Sequence, residues 1–163
     1  MSGRLPRVVR VAGAVAATAV AGGLASQEVR SGWYADLAKP AFQPPDAAFP
    51  VAWTLLYADI ALATSHALDR LERAGRTQEA AAYRRALAGN LIVNAAWSWV
   101  FFRWHGLGAA VGVAGVLTLS IADLVRRTSR VSPSAAVALA PYPAWCGFAT
   151  VLSGAVWALN RGR

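Results

Sequence analysis

Charge is kept out of four long stretches of this 163-residue chain. Val11–Gln27, Ala86–Phe102, Trp104–Ala122 and Val131–Asn160 contain no Asp, Glu, Lys or Arg, and each is about 17 residues or longer. A helix rises roughly 1.5 Å per residue, so each can cross a hydrocarbon core about 30 Å thick if its ends tilt or snorkel. A soluble protein of this size needs charges on the outer faces of its helices. These segments lack them, in keeping with a charged fraction of only 15% and a mean hydropathy of +0.40. A fifth apolar stretch, Ala47–Leu68, holds a single charged residue, Asp59.

The expected fold class is therefore all-α: one domain, residues 1–163, built as an integral membrane bundle of five transmembrane helices. The helices are expected at about 8–26, 47–68, 84–102, 107–124 and 135–159, with a proline-rich loop over 27–46. Asp46 is placed to cap the second helix, and Pro50 is tolerated in its first turn. "DRLERAGRTQEAAAYRR" forms a charged connector with room for a short amphipathic turn. "RWHG" makes a tight turn, and "VRRTSRVSPS" leads to the fifth helix. Arg4, Arg7 and Arg10 precede the first run and "LAS" closes it, a loose likeness to a cleaved signal peptide. Four further apolar segments make an uncleaved first helix the simpler reading.

The net charge of +8 raises the question of nucleic acid. The basic residues sit between apolar runs and form no stripe along one face, so no nucleic-acid partner is expected. They read instead as flanking charges of membrane helices. Eleven of the sixteen Lys and Arg residues fall in the N-terminus, the second loop and the fourth loop. That bias puts the N-terminus in the cytoplasm and the proline-rich loop and C-terminus outside. Cys146 is the only cysteine and sits in an apolar run, so it reads as a buried thiol. Two histidines and one cysteine, scattered, give no metal-ligand spacing.

Residues 33–57 read "WYADLAKPAFQPPDAAFPVAWTLLY". Trp33, Tyr34, Leu37, Lys39, Pro40, Pro44, Pro45, Phe49, Trp53, Leu56 and Tyr57 meet the pattern WY..L.KP...PP...F...W..LY. "NAAWSWVFF" follows with Asn94, Trp97, Phe101 and Phe102, and "PYPAWCGFATVLSGAVWALN" with Pro141, Tyr142, Trp145, Phe148, Ala149, Leu152 and Asn160. Over nearly its whole length the chain resembles the translocator protein family (TspO, the tryptophan-rich sensory proteins, once called peripheral benzodiazepine receptors). It departs from the family at Phe42 and Ala47, where tryptophans are usual, at Ser153, usually asparagine, and at Trp99, where proline is common.

The resemblance implies a five-helix membrane bundle, often a homodimer, in the bilayer of a bacterial cell membrane. It implies a pocket between the helices that opens towards the first loop. The ligands it implies are tetrapyrroles such as protoporphyrin and haem, with cholesterol and synthetic isoquinolines or benzodiazepines in some members. No cofactor is required; porphyrin or haem enters as ligand. Some members are reported to break down protoporphyrin in light, and the tryptophans implicated match Trp53 and Trp145, which become the catalytic candidates.

The residues also speak for themselves. Trp53 and Tyr57 share a helix face; Asn90, Asn94, Trp97 and Phe101 make a second stripe; Tyr142, Trp145, Ala149 and Leu152 make a third. Aromatic rings with a few polar atoms suit a flat, mostly apolar ligand. Helix packing with interfacial aromatics is the alternative for any one of them, but asparagines in a membrane interior need a use or a partner. The candidate ligand-binding set is Trp33, Tyr34, Lys39, Phe42, Trp53, Tyr57, Asn94, Trp97, Phe101, Tyr142, Trp145, Ala149 and Leu152. Pro40, Pro44 and Pro45 stiffen the first loop, so it can serve as a lid with little ordering cost. Lys39 can meet a propionate, a lipid headgroup or a structural partner.

Three features stay open at this level. Pro141 and Pro143 either kink the fifth helix or sit harmlessly in its first turn. Gly108, Gly112 and Gly115 allow close helix approach, within the chain or between copies. Asp59 and His66 share a face of the second helix, pointing away from Trp53, and suit either an interhelix hydrogen bond or transport of protons or small molecules. Three functions follow: a tetrapyrrole sensor or scavenger, a light-dependent porphyrin-degrading enzyme, and a transporter. No acid–base pair or nucleophile constellation marks a conventional active site.

Overall fold

The computed structural model describes residues 4–27 and 32–162, with side chains from Val8 onward. The described residues are helical nearly throughout. The elements are α1 (Arg4–Ala25), the short α2 (Gly32–Asp36), α3 (Ala48–Arg73), α4 (Thr77–Ser98), α5 (Leu107–Ser129), α6 (Pro133–Leu139) and α7 (Pro141–Asn160). A π-helical turn, Trp99–Arg103, continues α4. Val8–Ala25, α3, α5 and the combined α6–α7 are each long and apolar enough to cross a membrane. α4 is not among them: Glu79, Arg84 and Arg85 lie in its first half and Asn90 and Asn94 in its second. With it, the count of five long helical units stands.

The helices close a ring. α1 packs on α3 and α4, α4 on α5, α5 on α7 and α6, and α3 closes back on α6 and α4. The principal core joins Leu56, Ile60 and Ala67 of α3 to Tyr83, Leu87 and Leu91 of α4, to Leu117, Ile121 and Leu124 of α5, and to Leu139 and Tyr142.

Several expected boundaries shift, each for a visible reason. The charged connector after Leu68 is helix on both sides of a turn at 74–76. Leu71, Ala80 and Tyr83 keep the helical core periodicity through it. Glu72 pairs with Arg84 at 2.8 Å and Arg76 with Glu79 at 2.6 Å on the outer surface. Gly75 takes φ +69°, a left-handed conformation that ends α3. α5 runs past Leu124 to Ser129 because Thr128 is buried and hydrogen-bonds the Tyr83 hydroxyl at 2.7 Å. Ser132 then caps α6, accepting from the Ala135 amide at 3.4 Å, with Pro133 in the first turn. Asp46 does not cap α3. The cap position is Ala47, with no side-chain bond, and the turn closes through backbone carbonyls of Pro45 and Asp46.

The prolines of the fifth helix make a break, and both sequence readings meet there. Pro141 and Pro143 occupy the first turn of α7, and α7 continues α6 after Ala140. Pro141 has no N–H for the carbonyl of Val137. The Ala140 amide takes that carbonyl instead, one residue early, at 3.1 Å. Gly108 serves internal packing: a Cβ there would lie 3.2 Å from the Trp157 indole of α7. Gly112 and Gly115 have open space around them.

One polar chain ties four helices together. The Tyr57 hydroxyl donates to Asn94 Oδ1 at 2.9 Å, and Asn94 Nδ2 donates to the Tyr142 hydroxyl at 2.8 Å. Tyr142 donates in turn to Asn90 Oδ1 at 3.1 Å, and Asn90 Nδ2 to Ser120 Oγ at 3.3 Å. The chain therefore crosses α3, α4, α7 and α5. Asn90 and Tyr142 are fully buried. In hydrocarbon a single interhelical hydrogen bond averages about 0.6 kcal/mol, but stranding two buried amide groups costs more. Tyr142→Phe is expected to destabilise the bundle by about 1–3 kcal/mol. A fall in the thermal unfolding midpoint in detergent checks it; Tyr57→Phe, which strands one group only, falls less.

Candidate functional site

A cavity of about 480 Å³ lies between the helices beneath the first loop. Every long helical unit contributes a wall. α3 supplies Phe49, Trp53 and Tyr57; α4 and its π turn supply Asn94, Trp97, Phe101 and Phe102. α7 presents Trp145, Cys146, Ala149, Leu152 and Ser153. Ala114 and Leu117 come from α5, and Ala19, Gly22 and Gly23 from α1. Eight residues of α3 separate Phe49 from Tyr57, so the cavity runs about 12 Å deep. Its deep end is Tyr57, Asn94 and Cys146, the near side of the polar chain.

The local fold explains the aromatic wall. In the π turn the Trp104 amide reaches back five residues to the Trp99 carbonyl, 2.9 Å away. Trp97 and Phe101 stack with centroids 5.2 Å apart, and Phe101 and Phe102 meet edge to face at 4.8 Å. The Trp99 indole donates to the Ala21 carbonyl of α1 at 3.1 Å. Trp97 Nε1 is buried with no hydrogen-bond partner among the described residues.

Among the described residues the roof is held at three points. The Asn160 side chain, at the end of α7, accepts from the Ala38 amide at 3.0 Å and donates to the Ala38 carbonyl at 2.9 Å. Trp33 stacks on His105 at 3.8 Å, and His105 holds a left-handed φ of +53°. Tyr34 is the third point. Its hydroxyl donates to Asp46 Oδ1 and accepts from Gln43 Nε2, both at 3.3 Å. Lys39 Nζ sits 4.0 Å from the Tyr34 ring centroid. Burial, and then the Asp46 carboxylate, push the Tyr34 phenol up to about 12. The neutral phenol is thus favoured in the fold, and that contribution holds below pH 10 and fades as pH climbs through 12.

Ten of the sequence-predicted residues line the cavity: Tyr34, Lys39, Trp53, Tyr57, Asn94, Trp97, Phe101, Trp145, Ala149 and Leu152. Three lie off it. Trp33 is turned to His105 on the roof. Phe42 is half exposed on the loop, its edge against Phe148 at 6.3 Å. Tyr142 is fully buried behind the deep end, hydrogen-bonded to both asparagines. Sequence reasoning missed Gln43, Asp46, Phe49, Cys146 and the whole α1 wall. In α1 the signal was the Gly22–Gly23 pair: a Cβ on Gly22 would come 3.1 Å from Ser98 Oγ. Asp59 and His66 lie off the cavity as well. His66 is exposed, and Asp59 Oδ2 is buried without a hydrogen-bond partner among the described residues.

Among the described residues no cluster of His, Cys, Asp or Glu is suited to a metal ion. Fold and cavity together define an integral membrane helical bundle that encloses a roofed, aromatic-walled chamber. Residues 11–158 match the TspO/MBR family, and the chain belongs to it. It is 37% identical over 132 residues to the translocator protein of Sus scrofa, covering 80% of this chain and 76% of that protein. It is 34% identical over 131 residues to the tryptophan-rich sensory protein of Cereibacter sphaeroides, covering 80% and 78%. The translocator protein of Homo sapiens matches at 34% over 130 residues, covering 80% and 76%.

Asn160→Ala is expected to release the roof. It removes both bonds to Ala38, each worth about 0.5–1.5 kcal/mol net. Hydrogen exchange at the Ala38 amide should speed up about tenfold or more, while exchange within α4 and α5 stays unchanged.

Proposed function

We propose that this protein is a membrane receptor or sensor that binds tetrapyrroles such as protoporphyrin and haem, and similar flat hydrophobic molecules, beneath its first loop. The observation that carries this reading is the cavity itself. Its volume falls in the range of small-molecule sites, about 300–1,000 Å³, and such sites are mostly apolar with a few placed polar groups. Here Trp53, Trp97, Phe101 and Trp145 offer ring faces and edges, while Tyr57, Asn94 and Tyr34 offer polar atoms at the two ends. The unpartnered Trp97 indole N–H is a donor that a ring nitrogen or carbonyl can satisfy after a small side-chain shift. The protein acts in a bacterial cell membrane with its N-terminus cytoplasmic and the roof outward, and pairs with a second copy.

A second reading, light-dependent porphyrin degradation, is favoured by one observation: Trp53 and Trp145 both face the chamber. An excited porphyrin there can take an electron from either indole and pass it to dioxygen; a second electron from the macrocycle restores the indole, and the superoxide formed adds to the oxidised ring and opens it. Tyr57 lies beside Trp53, centroids 5.4 Å apart, as a further donor.

A protoporphyrin titration of the detergent-purified protein, read by the porphyrin's own absorbance in darkness and then in light, tests both. Saturable dark binding is expected, weakened about two- to tenfold in Trp53→Phe and in Trp145→Phe. Its absence rejects the receptor reading. Loss of bound porphyrin in light, abolished by either substitution, supports the degradative reading; stable bound porphyrin in light rejects it.

A further inference from the structure

Among the described residues that line the cavity, two carry a formal charge, Lys39 and Asp46, and both stand at its mouth. They bracket one aromatic ring. Lys39 lies over the face of Tyr34, and Asp46 accepts a hydrogen bond from its hydroxyl. Gln43, the third polar group there, donates to the same hydroxyl. Asp46 has no capping duty to explain its charge. Its side chain is exposed, on the rim rather than in the wall. Among the described residues the mouth thus holds one cation and one anion, at fixed places around Tyr34.

A ligand whose apolar body fills the chamber must turn its polar end to this rim. One carboxylate meets Lys39. A second finds no further cation among the described lining residues, and meets Asp46. We infer that Asp46 is the specificity-determining residue of the mouth: it lowers, without abolishing, the affinity for dicarboxylates such as protoporphyrin relative to flat ligands with a single acidic group or a neutral polar head. This rests on the flat-ligand reading above and narrows its substrate class. Two like charges about 7 Å apart, in a medium between protein surface and water, change a binding constant by roughly three- to tenfold. Salt shrinks the effect, because the screening length is about 8 Å at physiological ionic strength.

The test uses the full chain in detergent, in darkness, with three probes: protoporphyrin, its monomethyl ester and its dimethyl ester. Asp46→Asn keeps an acceptor for the Tyr34 hydroxyl and removes only the charge; Asp46→Ser is the second variant. The expected result is that the wild-type protein binds the monoester more tightly than the diacid. In both Asp46 variants the affinity for the diacid rises by roughly three- to tenfold relative to the dimethyl ester. Lys39→Gln moves that ratio the other way, and molar salt flattens all the differences. A diacid-to-diester ratio unchanged in both Asp46 variants overturns the inference while leaving the cavity reading intact. Failure of the dimethyl ester to bind saturably rejects the cavity reading, and the inference falls with it.

Discussion

The bundle depends on the hydrogen-bonded chain from Tyr57 through Asn94, Tyr142 and Asn90 to Ser120. Apolar contacts discriminate poorly between helix arrangements in a membrane, because lipid tails offer the same contacts. A polar chain does discriminate. Each member must find its partner at hydrogen-bond distance, and two of them, Asn90 and Tyr142, are fully buried. Every donor in the chain points the same way, from Tyr57 to Ser120, so each bond polarises the next. The angular placement of α3, α4, α5 and α7 follows from satisfying these groups.

That same chain explains why a cavity exists at all. Helices pinned together at mid-height are free to diverge above the pin, and two local distortions lie around it. The π turn at Trp99–Arg103 widens the end of α4, and the break at Ala140 redirects the fifth helix just before Trp145. The first loop spans the gap. Its prolines restrict the backbone in advance, so a few contacts suffice to seat it: the Asn160 clamp, the Trp33–His105 stack and the groups around Tyr34.

Much of this was legible in the sequence, and the exceptions share a cause. Charge-poor runs reported four apolar helices, α3 despite Asp59, because a hydrocarbon solvent filters composition over whole turns. The asparagine stripe was legible as polar atoms needing partners. Its division of labour was not: Asn94 and Tyr57 reach the cavity, while Asn90 and Tyr142 are consumed behind it. Helical periodicity gives a face, not a depth. Asp46 was misread for a related reason. An acidic residue before a helix is an ordinary cap, and only the fold shows Tyr34 at its side chain instead. Charge in the connector after Leu68 marks helix surface and not loop: the Glu72–Arg84 ion pair joins the end of α3 to α4.

The geometry also separates residues that inform on binding from those that confuse it with folding. Tyr57 and Asn94 touch the cavity and carry the polar chain, so losing either changes affinity and stability together. Trp53 packs against both Tyr57 and Tyr142, at 5.4 and 6.2 Å, and shares that ambiguity. Trp145 meets the rings of Phe49 and Phe148 and, like Trp53, packs against the principal core. The mouth is cleaner. Lys39 and Asp46 flank Tyr34 on a loop that Asn160 and Trp33 also hold, and an isosteric change such as Asp46→Asn removes a charge there while keeping an acceptor for the Tyr34 hydroxyl. In a bundle pinned at its centre, ligand chemistry is best read from the rim inward.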